Sequence, residues 1–294
     1  VTPSLDLEYK IKPELTFWHA QDERYTFDAF RNDELRVYYK NSKNGPWVML
    51  AEYTSLVEDW VKRSILLPDS SLSSDYYIAF EGKTNNGFGV CLDEIVLEET
   101  GITSKYVENI SYHQASTDFV ATQSDINPIL KLDIEVKGND GSINLDSLVF
   151  TSRNTDDQDI KENGVKLYVS NDTTFEHSQQ LSSGINFIDG KAIFNNLNYE
   201  IPRGLSSIWL TYDIKADTNH QSQGHILDAQ IGANDIKINN NTYPLVYKSP
   251  GGEREIYESL MHDSFESPTG WSFTGEFERA PAQDPPLGGT VGSP

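Results

Sequence analysis

The sequence predicts an all-β protein, a tandem of antiparallel β-sandwiches, and three observations lead there. Short runs of alternating apolar and polar residues recur along the chain; Gly, Pro, Asn, Asp and Ser break them at frequent intervals; helical periodicity is nearly absent. A period of two places one face of a strand in the core and the other in water. Many short runs of this kind, with frequent turn signals, are the pattern of sandwiches and barrels.

In chain order, residues 15–19, 35–39, 47–51, 76–80 and 92–97 predict the first strands. Leu130, Leu132, Ile134 and Val136 alternate with polar residues, as do Val165, Leu167 and Val169, and again Ile208, Leu210, Tyr212 and Ile214. Residues 193–197 and 245–248 are further candidates, and 54–61 reads equally as a short helix or a strand. Two stretches divide the chain. Residues 99–113 are polar and weakly patterned, and Ser249-Pro250-Gly251-Gly252 is a strong breaker. The expected organisation is therefore a unit at 1–98, a linker at 99–112, a sandwich at 113–258 and a remnant at 259–294. That remnant is below the ~40 residues a lone core requires without disulfides or metal.

At 294 residues the chain has room for two or three domains. Forty-five Asp and Glu against 23 Lys and Arg give a formal charge of −22. So acidic a surface repels nucleic acid and anionic membrane, which excludes both as expected partners. Aromatic residues make up 11%, enough to build a core, so acidity here does not mean disorder. Cys91 is the single cysteine, which rules out an intramolecular disulfide. Its apolar setting, Gly89-Val90-Cys91-Leu92, reads as a buried strand position. No run reaches the ~18–20 apolar residues of a membrane span.

Residues 15–97 resemble the later part of a MAM-like jelly roll, a type also met in bacterial cleaved-adhesin domains. The likeness rests on Leu15-Thr16-Phe17-Trp18-His19, Leu35-Arg36-Val37-Tyr38-Tyr39, Trp47 with Leu50, Trp60, Tyr77-Ile78-Ala79-Phe80-Glu81-Gly82 and the closing Leu92-Asp93-Glu94-Ile95. The opening strand of that family, a Phe-Glu followed by Gly-Trp, is missing before this segment. It stands at the other end, as Asp263-Ser264-Phe265-Glu266 and Gly270-Trp271. The middle of the chain is similar to the Ig-like β-sandwich that precedes the propeller in bacterial sialidase-like proteins. The matching runs are Asn127-Pro128-Ile129-Leu130, Ser147-Leu148-Val149-Phe150, Val165-Lys166-Leu167-Tyr168, Ile208-Trp209-Leu210-Thr211-Tyr212-Asp213-Ile214 and Leu227-Asp228-Ala229. In that family the module carries no catalytic machinery, and the Asp boxes of the propeller do not occur in this sequence.

Catalytic motifs are missing as well. There is no Gly-x-Ser-x-Gly elbow, no His-Glu-x-x-His and no Gly-rich phosphate loop. No reaction is expected of the chain. Structural Ca²⁺ is the expected cofactor, since it takes six to eight oxygens from acidic loops. The jelly-roll resemblance implicates Asp93 of the closing strand, with Asp263 and Glu266 of the opening strand on another copy of the domain. Asp156-Asp157-Gln158-Asp159 with Glu162 is a second acidic candidate, beside the reading of a solvated loop. Among the tryptophans, Trp18 falls in a strong strand pattern and reads as core. Trp47, after the turn at Lys43-Asn44-Gly45-Pro46, is the candidate sugar-stacking residue.

Two readings of the ends stand side by side: a slice of a longer array of alternating modules, or a chain whose 262–294 segment completes the 1–98 jelly roll of the next copy. The expected role is a secreted or cell-surface adhesin or structural repeat of bacterial type. Its partners would be other copies of itself, glycans or surface proteins. The alternative is an accessory part of a larger secreted hydrolase.

Overall fold

The structure, a computed structural model, describes residues 1–27, 29–217 and 221–257. The opening strands expected within 259–294 lie outside the described residues. What is described is all-β, in two sandwich units.

The first unit contains β1 (Pro13–Gln21), β2 (Glu23–Thr26), β3 (Ala29–Asn32), β4 (Glu34–Lys40), β5 (Val48–Tyr53), β6 (Val57–Leu66), β7 (Tyr77–Lys83) and β8 (Val90–Glu99). Strands β6-β1-β8 form one sheet, β5-β4-β7 the other, and β2-β3 a separate hairpin. β1 shows why the layers form. Its odd positions from Pro13 to Gln21 are buried and its even ones half-buried. Phe17 points across the sandwich, its ring edge-on to Phe80 at 5.2 Å and to Tyr53 at 6.2 Å. The buried apolar core is small: Leu7, Leu15, Phe17, Leu35, Val37, Leu67, Tyr76 and Ile78.

The second unit contains β9 (Tyr106–Gln114), β10 (Val120–Ala121), β11 (Asn127–Lys137), β12 (Asn144–Ser152), β13 (Ile160–Ser170), β14 (Gln179–Gln180), β15 (Lys191–Phe194), β16 (Tyr199–Glu200), β17 (Gly204–Ile214), β18 (Ile226–Leu227), β19 (Ala229–Gln230), β20 (Ile236–Ile238), β21 (Asn241–Tyr243) and β22 (Arg254–Tyr257). A sheet ordered β14-β13-β17-β11-β9 belongs with a second built on β15-β12-β20-β21, to which β16 and β19 add through β12. Among the described residues twenty-six buried apolar ones form their shared core, against eight in the first unit. Each Val, Leu, Ile or Phe among them contributes roughly 1.5–3 kcal/mol on burial, so the second unit has much the larger reserve. Central β17 is covered on both faces. Ile208, Leu210, Tyr212 and Ile214 face the core, while Ser207 donates to Asp133 at 2.6 Å and Lys131 lies 5.2 Å from the Trp209 ring on the other side. A short third sheet pairs β10 in parallel with β22. Beside it the buried Arg254 guanidinium donates to the carbonyls of Asp118, Pro128 and Phe119 at 2.8, 3.0 and 3.3 Å.

Glu99, at the end of β8, ties the units together. It accepts from Ile11 N at 2.8 Å and from Arg203 Nη1 at 2.6 Å, with Lys10 at 3.9 Å. Burial alone would raise the Glu99 carboxyl. The Arg203 and Ile11 hydrogen bonds and the two cations outweigh it and hold the group below its ordinary value. Gly138 closes the same junction: its φ is +92°, and a Cβ there would lie 2.4 Å from Ser104 O.

Several expectations are corrected. Residues 99–112, read as a linker, include most of β9, which pairs along β11. The apolar positions Val107, Ile110 and Tyr112 do not keep a period of two because a bulge shifts the register between Asn109 and Val107. Residues 54–61 resolve in favour of a strand, β6. Cys91 is exposed, because Leu92 pairs with buried His19 and the neighbouring position must face out. Trp18 is half-buried on the outer face of β1, where its Nε1 donates to Glu94 Oε2 at 3.0 Å. Residues 245–248 form no strand. Leu245, Val246 and Tyr247 are exposed and only Lys248 bridges, to Ile231.

Candidate functional site

Both units leave edge strands open among the described residues; in the second, β9 and β14 end one sheet. In the first, β6 and β8 end one sheet and β5 ends the other, and no further strand pairs with any of the three among the described residues. The fourth edge is filled from within. Residues 2–7 run along β7, with Leu5 N to Tyr76 O at 2.8 Å, Tyr76 N to Leu5 O at 2.9 Å and Thr2 N to Ile78 O at 2.9 Å. An edge strand presents a row of free backbone donors and acceptors, ready to template another strand.

Side chains on these edges are also under-covered. Val61 pairs with His19, which is fully buried, so Val61 shares the core-facing side of the sheet, yet it is 40% exposed. Ile95 stands two residues from Leu97, the partner of buried Leu15, and is 50% exposed. Core-facing apolar positions in β11 and β17 are buried by contrast. The first unit therefore combines unpaired backbone with an uncovered apolar margin.

Asp93 lies on this margin. β8 carries an extra residue between the pairs Trp18↔Asp93 and Thr16↔Val96, and Glu94 in that bulge has φ +44°. Bulges re-aim side chains at sheet edges. Asp93 is exposed, and its Oδ1 accepts from Glu94 N at 2.8 Å. Among the described residues no group of three His, Cys, Asp or Glu is placed to hold a metal. Ca²⁺ takes six to eight oxygens, from carboxylates, backbone carbonyls and water, of which Asp93 and Glu94 would supply part. Asp263 and Glu266 lie outside the described residues.

The second acidic candidate is bound up in local structure. Asp156 caps a single 3-10 turn, accepting from Gln158 N at 2.9 Å, and buried Asp159 meets His225 Nδ1 at 2.9 Å. Burial pushes the Asp159 carboxyl up, against the His225 hydrogen bond. Trp47 is 42% exposed, but the Lys40 ammonium lies 5.0 Å from its ring centroid and 4.7 Å from that of Tyr77. Lys40 thus occupies ring surface on which a sugar would stack.

The sequence reading missed one group of exposed rings. Tyr25, Phe27 and Phe30 on the β2-β3 hairpin and Phe88 on the loop before β8 are all exposed. Their signal in the sequence is the spacing of aromatics across a short polar turn, without the apolar flanks of a core strand. No family model matches the chain, and no curated protein matches it.

Proposed function

We propose that the chain is a non-catalytic, secreted or cell-surface structural or adhesive module whose first sandwich accepts a β-strand from a neighbour. One observation carries this reading: two edge strands unpaired among the described residues, β6 and β8, carry core-facing residues, Val61 and Ile95, that remain about half in water. An incoming strand satisfies the free amides and carbonyls by β-augmentation, and alternate side chains cover the apolar margin. The proposed donor is segment 262–294 of a neighbouring copy, which carries Phe265, Trp271 and Phe273. Such a contact joins different surfaces of identical molecules, so it propagates instead of closing and builds a filament or array.

The test is oligomeric state by light scattering and sedimentation across a concentration series up to several hundred micromolar. The full chain should form a ladder of head-to-tail oligomers. Deletion of 262–294, or a charge at the margin (Ile95→Lys), should leave a monomer. A full-length chain that stays monomeric across the series, unaffected by either change, refutes the reading.

A further inference from the structure

The β2-β3 hairpin carries an arrangement that folding does not require. Its cross-strand pairs are Arg24↔Arg31 and Tyr25↔Phe30. The Tyr25 and Phe30 rings meet edge-on, 5.1 Å between centroids. Phe27 stands in the turn, 105% exposed and with φ +45°. Hairpin turns select Gly, Asn or Asp in the left-handed region, and a bulky side chain there is an outlier. Phe88, also exposed, lies 6.0 Å from the guanidinium of Arg24, whose pair with Arg31 faces away from the Tyr25–Phe30 pair.

These rings sit on a rigid mount. Asp33, buried at the foot of the hairpin, accepts from the amides of Asn85, Gly87 and Gly89 at 2.5, 3.0 and 2.8 Å. Phe88 N bonds Asp22 O at 3.4 Å. The hairpin and the Phe88 loop approach so closely that a Cβ on Gly87 would lie 2.7 Å from Asp33 N. Strain and exposed apolar surface that persist on a well-held frame mark a contact surface.

We propose that Tyr25, Phe30 and the turn residue Phe27 form a stacking platform for a neutral saccharide. The electron-rich face of an aromatic ring attracts the C–H groups on the apolar face of a pyranose. The surrounding charges decide the ligand class. On the described hairpin Asp22 and Glu23 stand against Arg24 and Arg31, which leaves no net positive charge. Nucleic acid and anionic lipid both need a cationic surface, and the carboxylates of Asp22 and Glu23 oppose insertion into a bilayer. A neutral sugar needs no net charge, and its hydroxyls donate to carboxylates and accept from guanidinium. This platform is independent of what the sheet edges bind.

The test uses the full chain in affinity electrophoresis and calorimetry against soluble neutral polysaccharides (xylan, galactomannan, mixed-linkage glucan and amylose), with phosphatidylcholine vesicles and self-association by light scattering in parallel. At least one polysaccharide should retard the chain. Phe27→Ala and Phe30→Ala should each weaken that binding about tenfold or more, and Trp47→Ala should not. Phe27→Gly separates binding from folding, since relief of the left-handed strain should raise the melting temperature by roughly a few degrees while binding falls. The proposal is overturned if no polysaccharide binds, or if binding survives Phe27→Ala. It is equally overturned if the hairpin variants change only vesicle binding or self-association.

Discussion

Asp228 gives the sharpest stability prediction. It lies fully buried beside β19, its Oδ1 accepting from Ala229 N at 2.7 Å. Its Oδ2 has no hydrogen-bond partner and only an ion pair to Arg153 Nη1 at 3.3 Å, and the Arg153 side chain is itself partly in water. Burial pushes the carboxyl up from 3.8 to about 6, against the Ala229 amide and the Arg153 charge. The difference corresponds to about 3 kcal/mol, an order-of-magnitude figure. Because the folded state holds this proton more tightly than the unfolded chain, the linked stability is present in full below about pH 4 and is lost as pH rises through about 6. Asp228→Asn removes the titration, and the Asn carbonyl keeps the Ala229 bond. The assay is urea denaturation from pH 4 to 7.5, with the second unit followed by pulsed hydrogen exchange of β17 peptides. The stability of Asp228→Asn relative to wild type should rise across that range by up to about 3 kcal/mol, a comparison that cancels the other carboxylates. A difference that stays flat from pH 4 to 7.5 refutes the reasoning.

Two further outcomes follow from packing and from the junction. Phe17→Ala should cost about 3–5 kcal/mol, measured as loss of protection in β1 and β4 by hydrogen exchange, because its ring fills the space between the sheets of a small core. Glu99→Gln should cost roughly 1–3 kcal/mol by leaving Arg203 without its anion. The amides of Ile11 and Gly101 should then exchange faster, and small-angle scattering should show a wider spread of inter-unit distances. The Glu99 group sits below its ordinary value when folded, so its contribution is present above that value and declines as pH falls through the folded one.

Much of the second unit was legible because its strands keep strict alternation. Leu130 and Leu132 pair with Leu210 and Ile208 in the adjacent strand. Where regularity breaks, the sequence loses its signal. The bulge near Glu108 spaces Val107 and Ile110 three apart, and a nine-residue strand reads as a linker. Cys91 sits in an apolar run whose parity only the partner strand fixes. Trp18 shows that residue type is a poor guide to facing when β1 already devotes Leu15, Phe17 and His19 to the core. Of the candidate site, Asp93 was visible as an acid in a closing strand. The uncovered margin at Val61 and Ile95 was not, since exposure of an inward position depends on what lies across from it. The aromatic hairpin had only a faint signal, Tyr25, Phe27 and Phe30 spaced among polar residues without the apolar flanks of a core strand.

The parallel pairing of β10 and β22 bears on mechanical load. Tension between residues near 120 and residues beyond 257 pulls the two strands past one another along their length. The bonds between Val120–Ala121 and Ile256–Tyr257, together with the three that Arg254 makes to the 118–128 backbone, are then strained at once and cannot open in sequence like a zipper. Joined into a chain of such modules, the second sandwich would resist stretching at the point where force leaves it.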